Sequence, residues 1–499
     1  MKNIDHHTFG GVNTKVFLST PPGRTTERWP PLGLLYIASS LRKERGDEVT
    51  VCDAFCANMG IEDLVSKAVR ERPDVVGLNC STHTFLDAIE ALKRVHDRLP
   101  DCRIVLGGYH ATFATERILR NYGFVDYIIR GEAERPLVQL LDRLESGTGP
   151  GDVDGIAYLD DGALVQKQVC LMEDLDALPF PDRSMLGGLR YGYSHQGIPL
   201  TFGKFTTISS SRGCPFKCTY CSCAAFSLRK WRARSPESVV RELEAIQGEG
   251  YETCVFVDDN FTHNPRRAQR ICELIKERRI RLQLYCEGRV DSASKELMGC
   301  MKRAGFDVIY FGAESASERT LEFYQKRITP ERTAAAIANA KEAGMLVITS
   351  YILGAPVEEE ADVRKTISFI HDSRPHAVQV NILDCLVGTA IWDDMGKRGL
   401  IGPEDWRTNH RIYEYQDSLF SQERLQSFVN EAYAQWLKGW WNRKGIGELL
   451  RIVARNRTAR RIVLTNMFNR NVIAQLRQGA RPFKEGIAPE GQRSPRPLP

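Results

Sequence analysis

The segment Ser209-Ser-Ser-Arg-Gly-Cys-Pro-Phe-Lys-Cys-Thr-Tyr-Cys221 carries Cys214, Cys218 and Cys221 in a C-x3-C-x2-C pattern. It overlaps the end of a β-type run at 205–209, which places the cysteines on a loop at the carboxyl end of a strand. Three thiolates on so short a loop can bind three irons of a [4Fe–4S] cluster and leave the fourth iron open to a small molecule. A zinc site or a chance arrangement is the alternative, although structural zinc usually takes four ligands and no second cysteine pair follows.

The composition is ordinary for a globular protein, since hydrophobic residues make up 42% and charged residues 26% of the 499 positions. Fourteen cysteines without a signal peptide indicate a reducing, cytoplasmic location. No run reaches the roughly 18 apolar residues that a membrane span needs. The net charge of +5 is uneven, because Lys438–Pro499 holds 14 Lys/Arg and 3 Asp/Glu, or +11, which leaves −6 for the rest.

Residues 1–147 alternate apolar, β-rich runs with amphipathic helical stretches. Strands are expected near 16–20, 48–52, 74–79, 103–107 and 125–129. Near-continuous apolar strands separated by helices predict a parallel sheet that is covered on both faces. Five such units predict a flavodoxin-like doubly wound α/β domain, whose ligand lies beyond the carboxyl ends of the strands.

The loops at that edge are rich in glycine, proline and small hydroxyl residues. They leave room for a flat, bulky ligand, although a Gly-Gly pair can equally close a tight turn. The residues expected to contact such a ligand are Pro22, Ser81, Thr82, Gly107, Gly108, His110, Gly131 and Glu132.

This region resembles the cobalamin-binding domain that precedes many radical SAM domains. The resemblance covers about residues 14–147 and rests on Pro30-Pro-Leu-Gly-Leu34, Gly107-Gly-Tyr-His110 and Gly131-Glu-Ala-Glu134. It implies bound cobalamin with no protein histidine below the cobalt. Asp5-His-His7-Thr-Phe-Gly10 matches the D-x-H-x-x-G string of the histidine-ligated mode, but it precedes the first strand, and we interpret it as a coincidence.

Residues 148–200 are interpreted as a connector of hairpin and linker. Asp161-Gly162 between two short β-type runs predicts a hairpin. The proline-punctuated segment 174–181 predicts a linker that positions one domain over the next.

Residues 201–400 contain six further strand-and-helix units. The strands are expected near 204–210, 252–257, 281–286, 307–312, 347–353 and 377–383. Repeated βα units predict a partial (βα)6 barrel, similar to a TIM barrel, with its site at the carboxyl ends of the strands.

The cysteine loop, with Tyr220 just before its last cysteine, resembles the radical SAM superfamily. The resemblance implies that the open iron binds S-adenosylmethionine (SAM), whose reductive cleavage yields a 5′-deoxyadenosyl radical. The expected SAM contacts are Tyr220, Asp258, Asp259, Arg289, Glu314, Ser315 and Gly354. Asp258 and Asp259 stand where many members carry Gly-Gly-Glu, and they could equally cap the helix near Pro265. Cys223, just beyond the triplet, is expected to be structural.

Residues 401–499 are expected to form a basic, α-helical region with a disordered, proline-rich end at 487–499. Ile446, Leu449, Leu450 and Val453 recur at helical spacing among arginines. Such a helix can lie on a membrane surface or a partner. It can also dock on the barrel with a solvated basic face, which we favour.

Together these features predict a radical SAM enzyme that uses a [4Fe–4S] cluster and cobalamin to abstract hydrogen from an unactivated carbon and to methylate it. The alternative is cyclisation, ring contraction or oxidation without methyl transfer, on a lipid or tetrapyrrole substrate. Expected partners are a small-molecule substrate (a natural-product, lipid or tetrapyrrole intermediate) and an external electron donor such as flavodoxin or ferredoxin. A nucleic-acid modifier or binding module is disfavoured, because the positive charge is confined to the tail.

Overall fold

Two β-sheets organise the chain in the computed structural model, which describes residues 13–23, 28–195, 198–441 and 443–466. The strands of the first sheet are β1 (Lys15–Ser19), β2 (Glu48–Cys52), β3 (Val75–Asn79), β4 (Arg103–Gly107), β5 (Tyr127–Ile129), β6 (Ile156–Asp160) and β7 (Ala163–Gln166). Strands β1–β5 are parallel in the order 2-1-3-4-5. This is the flavodoxin-like order that the sequence predicts.

Helices cover both faces of the first sheet, and apolar clusters lie beneath them. They are α1 (Leu32–Glu44), α2 (Ile61–Glu71), α3 (Phe85–Arg98), α4 (Gly108–Phe113), α5 (Thr115–Asn121) and α6 (Glu134–Ser146). Gly108 was expected in an open loop, but it begins α4.

The hairpin β6–β7 extends the first sheet and does not stand apart as a connector. It pairs antiparallel with β5 and covers an edge that would otherwise expose unpaired backbone groups. Asp161 and Gly162 form its turn with φ of 46° and 83°, as in the type I′ turn that Asp-Gly favours.

The second sheet is parallel throughout and follows the chain in order, as a partial barrel does. Its strands are β8 (Phe205–Ile208), β9 (Thr253–Phe256), β10 (Gln283–Gly288), β11 (Phe306–Glu314), β12 (Leu346–Leu353) and β13 (Ala377–Ile382). The helices of this region are α7 (Ser222–Phe226), α8 (Pro236–Gly248), α9 (Pro265–Glu277), α10 (Lys295–Arg303), α11 (Glu318–Phe323), α12 (Pro330–Ala343), α13 (Glu360–Ser373) and α14 (Ala390–Lys397). The predicted partial (βα)6 barrel is confirmed.

Local sequence explains where several of these helices begin. Ser235, Asn264 and Thr329 each cap a helix with a side-chain oxygen, and each is followed by proline in the first turn. Asn264 therefore caps α9, and neither Asp258 nor Asp259 does.

Shorter elements join the main ones. The 3-10 turns are Thr82–Thr84, Arg183–Leu186, Phe261–His263, Val290–Ser292, Asp405–Arg407 and Ile412–Tyr415. The two-residue strand pairs are Ser194–His195 with Ile198–Pro199, Ser211–Arg212 with Arg232–Ala233, and Asp384–Cys385 with His410–Arg411.

Three helices end the described chain: α15 (Gln422–Trp440), α16 (Arg443–Arg455) and α17 (Arg457–Asn466). Helix α15 packs on α13 through Leu425, Phe428 and Ala432. Ile452 and Ala459, from α16 and α17, join the apolar cluster inside the barrel. This region therefore docks on the barrel, as we favoured.

Two sequence features lie outside the described residues, namely the string at 5–10 and the segment 487–499. Among the described residues, no helix has both the length and the apolar composition to cross a membrane.

Candidate functional site

The three cysteines lie where the sequence predicts, on a loop at the carboxyl edge of the second sheet. Strand β8 leads into the short antiparallel pair of Ser211–Arg212 with Arg232–Ala233, and this pair closes the base of the loop. Cys214, Cys218 and Cys221 are all partly exposed within it. The loop is therefore held at its base, and its three cysteines are partly exposed.

The thiols influence one another's protonation. Burial raises the pKa of Cys214 to about 11, and Cys221 and Cys218 add to the shift. The pKa of Cys218 is also raised by burial, whereas a hydrogen bond with Cys223 lowers the pKa of Cys221 to about 7. Binding of iron would displace these protons. Within the described part of the chain, no three His, Cys, Asp or Glu side chains form a group that could hold a single metal ion.

The two aspartates after β9 hold the base of this loop. Asp258 is buried and accepts hydrogen bonds from Ser210 N at 2.7 Å, Ser210 Oγ at 2.6 Å and Ser211 Oγ at 2.5 Å. Asp259 accepts from Gly213 N at 2.8 Å. Both Asp258 oxygens thus accept hydrogen bonds from Ser210 and Ser211, which fixes the base of the loop.

Glu314 forms a buried ion pair at the end of β11. Its Oε1 lies 2.8 Å from Lys326 Nζ, and the same Nζ donates to Tyr220 Oη at 3.3 Å. Glu314 has a φ of 62°, which is uncommon for a residue other than glycine. A Cβ at Gly312 would overlap the Glu314 carboxylate and approach Lys326 Nζ to 2.9 Å. The backbone is therefore shaped around this pair, next to the cysteine loop.

The guanidinium of Arg289 is already hydrogen-bonded to neighbouring residues. Its guanidinium bonds the Asp291 carboxylate at 2.9 Å and the Lys326 carbonyl at 2.9 Å. It also lies 3.6 Å above the ring of Phe216, which belongs to the cysteine loop. Arg289 thus supports the loop and the backbone of Lys326, and a SAM carboxylate would have to share it with Asp291.

The other two predicted SAM contacts have structural partners. Ser315 is buried and its hydroxyl lies 3.1 Å from Thr366 Oγ1. Gly354 has a φ of 96°, and its N–H donates to Glu358 Oε2 at 2.6 Å. This hydrogen bond fixes the turn after β12. Gly354 is the last predicted SAM contact along the chain.

Glu358 should make stability depend on pH. The side chain is fully buried, its Oε1 has no partner, and burial raises its pKa from 4.5 to about 7. Because the folded pKa exceeds the unfolded one, its contribution is complete below the unfolded pKa and is lost as pH rises through the folded pKa. Glu358→Gln should therefore have a higher melting temperature than wild type at about pH 8, and a free energy of unfolding that is larger by up to about 3 kcal/mol. The difference should shrink as the pH falls and vanish near about pH 4, below the unfolded pKa. A difference that does not change with pH would contradict this assignment.

Two residues near the cysteine loop were missed by the sequence analysis. Lys326 carries no spacing signal, since it lies twelve positions beyond Glu314. Glu287 lies next to Gly288-Arg289 at the end of β10, where it is exposed at the carboxyl edge of the sheet. Strand alternation could have pointed to Glu287, because Tyr285 and Glu287 lie on the same face of β10.

A cavity of about 330 Å³ separates the carboxyl edge of the first sheet from the cysteine loop. The first domain contributes the predicted contacts Gly107, Gly108, Gly131 and Glu132. The barrel contributes Gly213 of the cysteine loop, Cys223 of α7 and Asp259 after β9. One wall of the cavity thus belongs to each domain.

Four other residues predicted to contact the ligand do not line this cavity. His110 is buried, its Nδ1 lies 3.1 Å from Thr82 Oγ1, and its ring packs on Phe85. Ser81 is bonded to Thr84 in a turn. Pro22 precedes Gly23, which approaches Phe55. Burial lowers the pKa of His110 to about 4, so it is a neutral core residue.

At two positions of the cavity wall, the backbone conformation and its close contacts require glycine. Gly108 has a φ of 92°, and a Cβ there would lie 2.7 Å from the Cys80 carbonyl oxygen. Gly131 has a φ of 90°, and a Cβ there would collide with the Cys170 carbonyl oxygen. Close packing of backbone is therefore sufficient to require both glycines.

Glu132 ties the two domains together. It accepts two hydrogen bonds of 2.8 Å from Arg232, and Glu134 accepts one of 2.7 Å from Arg212. Arg212 and Arg232 are paired on the strands that close the cysteine loop. We call these four residues the interdomain clamp. The pKa of Glu132 is lowered, because the two guanidiniums outweigh the effect of burial, so the clamp is ionic.

Both domains of the chain match known protein families. The radical SAM superfamily matches residues 208–370, and the B12 binding domain matches residues 23–141. An uncharacterized methyltransferase of Pyrococcus horikoshii is 30% identical over 428 residues, covering 84% of this chain and 91% of that protein. The chain belongs to the radical SAM superfamily and carries a B12-binding domain.

Other relatives of this radical SAM protein differ in activity. An anaerobic magnesium-protoporphyrin IX monomethyl ester cyclase of Cereibacter sphaeroides is 28% identical, over 70% of this chain and 57% of that protein. The radical SAM methyltransferase TsrM of Kitasatospora setae, solved with cobalamin and a [4Fe–4S] cluster, shares the fold. Its TM-score is 0.66 at 19% identity, over 77% of this chain and 75% of TsrM.

The radical SAM protein therefore takes a [4Fe–4S] cluster, SAM and cobalamin as cofactors. Its residues fit the cluster, since Cys214, Cys218 and Cys221 lie together on one loop, and three protein ligands leave one iron open. They also fit cobalamin, because glycine backbone at Gly107 and Gly108 faces a cavity beside that loop.

Proposed function

We propose that this radical SAM protein is a methyltransferase that acts at an unactivated carbon of a small molecule. One observation carries the proposal. The cavity against the cobalamin domain is lined by Gly213 of the cysteine loop and Cys223 of α7, as well as by Gly107 and Gly108. A site of methyl donation and a site of radical generation would therefore be next to each other.

Named side chains would divide the work at this site. Cys214, Cys218 and Cys221 would hold the cluster, and Glu314 would bind the amine or ribose of SAM. Lys326 and Arg289 carry the charge to bind its carboxylate, and Tyr220 would orient Lys326 through their hydrogen bond. When bound, the cofactors supply the electron and the methyl-transfer chemistry that side chains lack.

The protein would supply orientation and shelter. Asp258 and Asp259 hold the loop through four hydrogen bonds, which limits its movement relative to the barrel. The interdomain clamp holds the cobalamin domain against the base of the same loop. Fixed geometry of this kind keeps reacting groups in place and excludes water from the gap.

Gly33 offers a direct test of where cobalamin binds. It lines the cavity, and a Cβ built on it meets nothing within 4 Å. Gly33→Phe should fill part of the cavity and lower bound cobalamin at least about tenfold, with iron content unchanged. Gly248→Phe is the matched control, because Gly248 also lies in a helix and its Cβ also meets nothing within 4 Å. Equal cobalamin in both variants, measured by absorbance of the anaerobic protein, would refute the assignment.

The methyl-transfer proposal is tested with methyl-labelled SAM. The reconstituted enzyme, a flavodoxin or ferredoxin as electron donor and an extract of the source cells are incubated without oxygen. We expect label in a small product together with 5′-deoxyadenosine. Formation of 5′-deoxyadenosine without label in any small product would contradict methyl transfer.

The second candidate is a radical cyclase or oxidative enzyme. The cyclase relative at 28% identity supports it, and a lipid or tetrapyrrole substrate would then be in question. The labelling experiment separates the two candidates, because cyclisation leaves the methyl label in SAM.

A further inference from the structure

Another cavity, of about 490 Å³, lies where α16 meets α12 and the end of α13. Asn456, just after α16, donates to the carbonyls of Asp307 at 2.8 Å and Gly344 at 3.0 Å. Asp307 is near the start of β11 and Gly344 precedes β12. The cavity is therefore at the amino ends of the strands, at the opposite end of the barrel from the cysteine loop. Its volume is that of a pocket for a small molecule.

The walls of this cavity are rich in positive charge. Its cations are Lys341 of α12, Arg374 after α13, and Arg451 and Arg455 of α16. Lys341 forms an ion pair with Glu448 and donates to the carbonyls of Ser373 at 3.2 Å and Arg374 at 2.9 Å. Lys341 thus covers the carbonyl end of α13, which would otherwise repel an anion.

The carboxylates of the cavity wall already have cationic or polar partners. They are Glu342, Asp372 and Glu448. Glu448 binds Lys341 and lies 3.4 Å from Arg374 Nε. Glu342 lies 2.5 Å from Lys295, and Asp372 lies 2.9 Å from His371 Nδ1. No wall carboxylate is therefore left to neutralise the two arginines of α16.

Arg451 and Arg455 are the side chains that an anion would meet. Neither has a salt bridge to any residue within the described ranges of the chain. They are one helical turn apart on the side of α16 that lines the cavity, and like charges at this spacing repel each other. An anion between them would remove that repulsion. Guanidinium groups match the oxygens of phosphate through paired hydrogen bonds.

We propose that this cavity binds a phosphate-bearing small molecule, with Arg451 and Arg455 as its phosphate ligands. Ala334 and Ala338 line the wall that α12 contributes, and their small side chains leave room for the ligand. The bound phosphate would link α16 to α12 and α13, and so stabilise the docked C-terminal helices. The site is remote from the cysteine loop and does not depend on the proposed methyl transfer.

Calorimetric titration of the full chain tests this proposal. Pyrophosphate and ATP are titrated separately in magnesium-free buffer, with potassium chloride holding the ionic strength constant. Wild type should bind pyrophosphate and melt at a higher temperature in its presence. Tighter binding of ATP would identify a nucleotide as the source of the phosphate, and tighter binding of pyrophosphate a free diphosphate. The double variant Arg451→Gln/Arg455→Gln should bind pyrophosphate at least about tenfold more weakly.

Arg457→Gln/Arg460→Gln is the matched control. Arg457 and Arg460 are exposed on α17, and neither is among the residues that line the cavity. This control removes the same charge from the same region, and it should bind pyrophosphate as wild type does. Both double variants should keep the wild-type melting temperature without ligand. The proposal is overturned if wild type does not bind pyrophosphate, if Arg451→Gln/Arg455→Gln binds as wild type does, or if the two double variants lose affinity equally.

Discussion

Cys218→Ala should abolish reductive cleavage of SAM. The remaining two thiols cannot hold a cluster that normally has three protein ligands, so iron should fall from about four per chain to below about one. Formation of 5′-deoxyadenosine should drop to background, and the absorbance of the cluster should be lost. Anaerobic reconstitution followed by iron analysis and product chromatography measures all three quantities.

Cys223→Ala provides the control in the same loop. Cys223 contacts Cys221 and lies 3.8 Å from Tyr109 Oη, but it stands outside the C-x3-C-x2-C triplet. This variant should keep its iron and cleave SAM. If Cys223→Ala loses the cluster while Cys218→Ala retains it, the ligand set is different from the one we propose.

Glu132→Gln should destabilise the protein by about 3–5 kcal/mol, the second large effect that we expect. The substitution leaves Arg232, which is buried, without its carboxylate, and an unpaired buried charge costs this much. It also weakens the attachment of the cobalamin domain to the cysteine loop. Urea unfolding at neutral pH measures the loss, and cobalamin content reports on the cavity that Glu132 lines.

Glu62→Gln is the control for this prediction. Glu62 also accepts two hydrogen bonds from one arginine, Arg98, at 2.7 and 3.1 Å, but both side chains are largely exposed. Solvent screens such a pair, so Glu62→Gln should destabilise the protein far less than Glu132→Gln. If Glu62→Gln and Glu132→Gln lower the free energy of unfolding equally, burial does not strengthen the interdomain clamp.

The architecture could be predicted from the sequence because it follows from local patterns. Apolar strands separated by helices predict parallel sheets, and in a parallel sheet the carboxyl ends of all strands lie at one edge. The position of the cysteine loop beside Asp258 and Asp259 follows from that rule. The turn at Asp161-Gly162 was also predictable, since few residue pairs allow two positive φ angles.

The partners of individual side chains could not be predicted in the same way. Glu132 and Arg232 are 100 residues apart, and their pairing depends on how one domain docks on the other. Asp258 has the charge to bind SAM, yet two serines upstream occupy its oxygens. His110 resembles a cofactor ligand in sequence, but α4 begins at Gly108 and turns the imidazole into the core.

The account rests on two cofactors that act in one chain, and anaerobic reconstitution with iron, sulfide and cobalamin tests this directly. We predict about four irons and one cobalamin per chain in a single purified species, and label from methyl-labelled SAM in a small product. A species that binds the cluster and cleaves SAM but takes up no cobalamin would contradict the central claim.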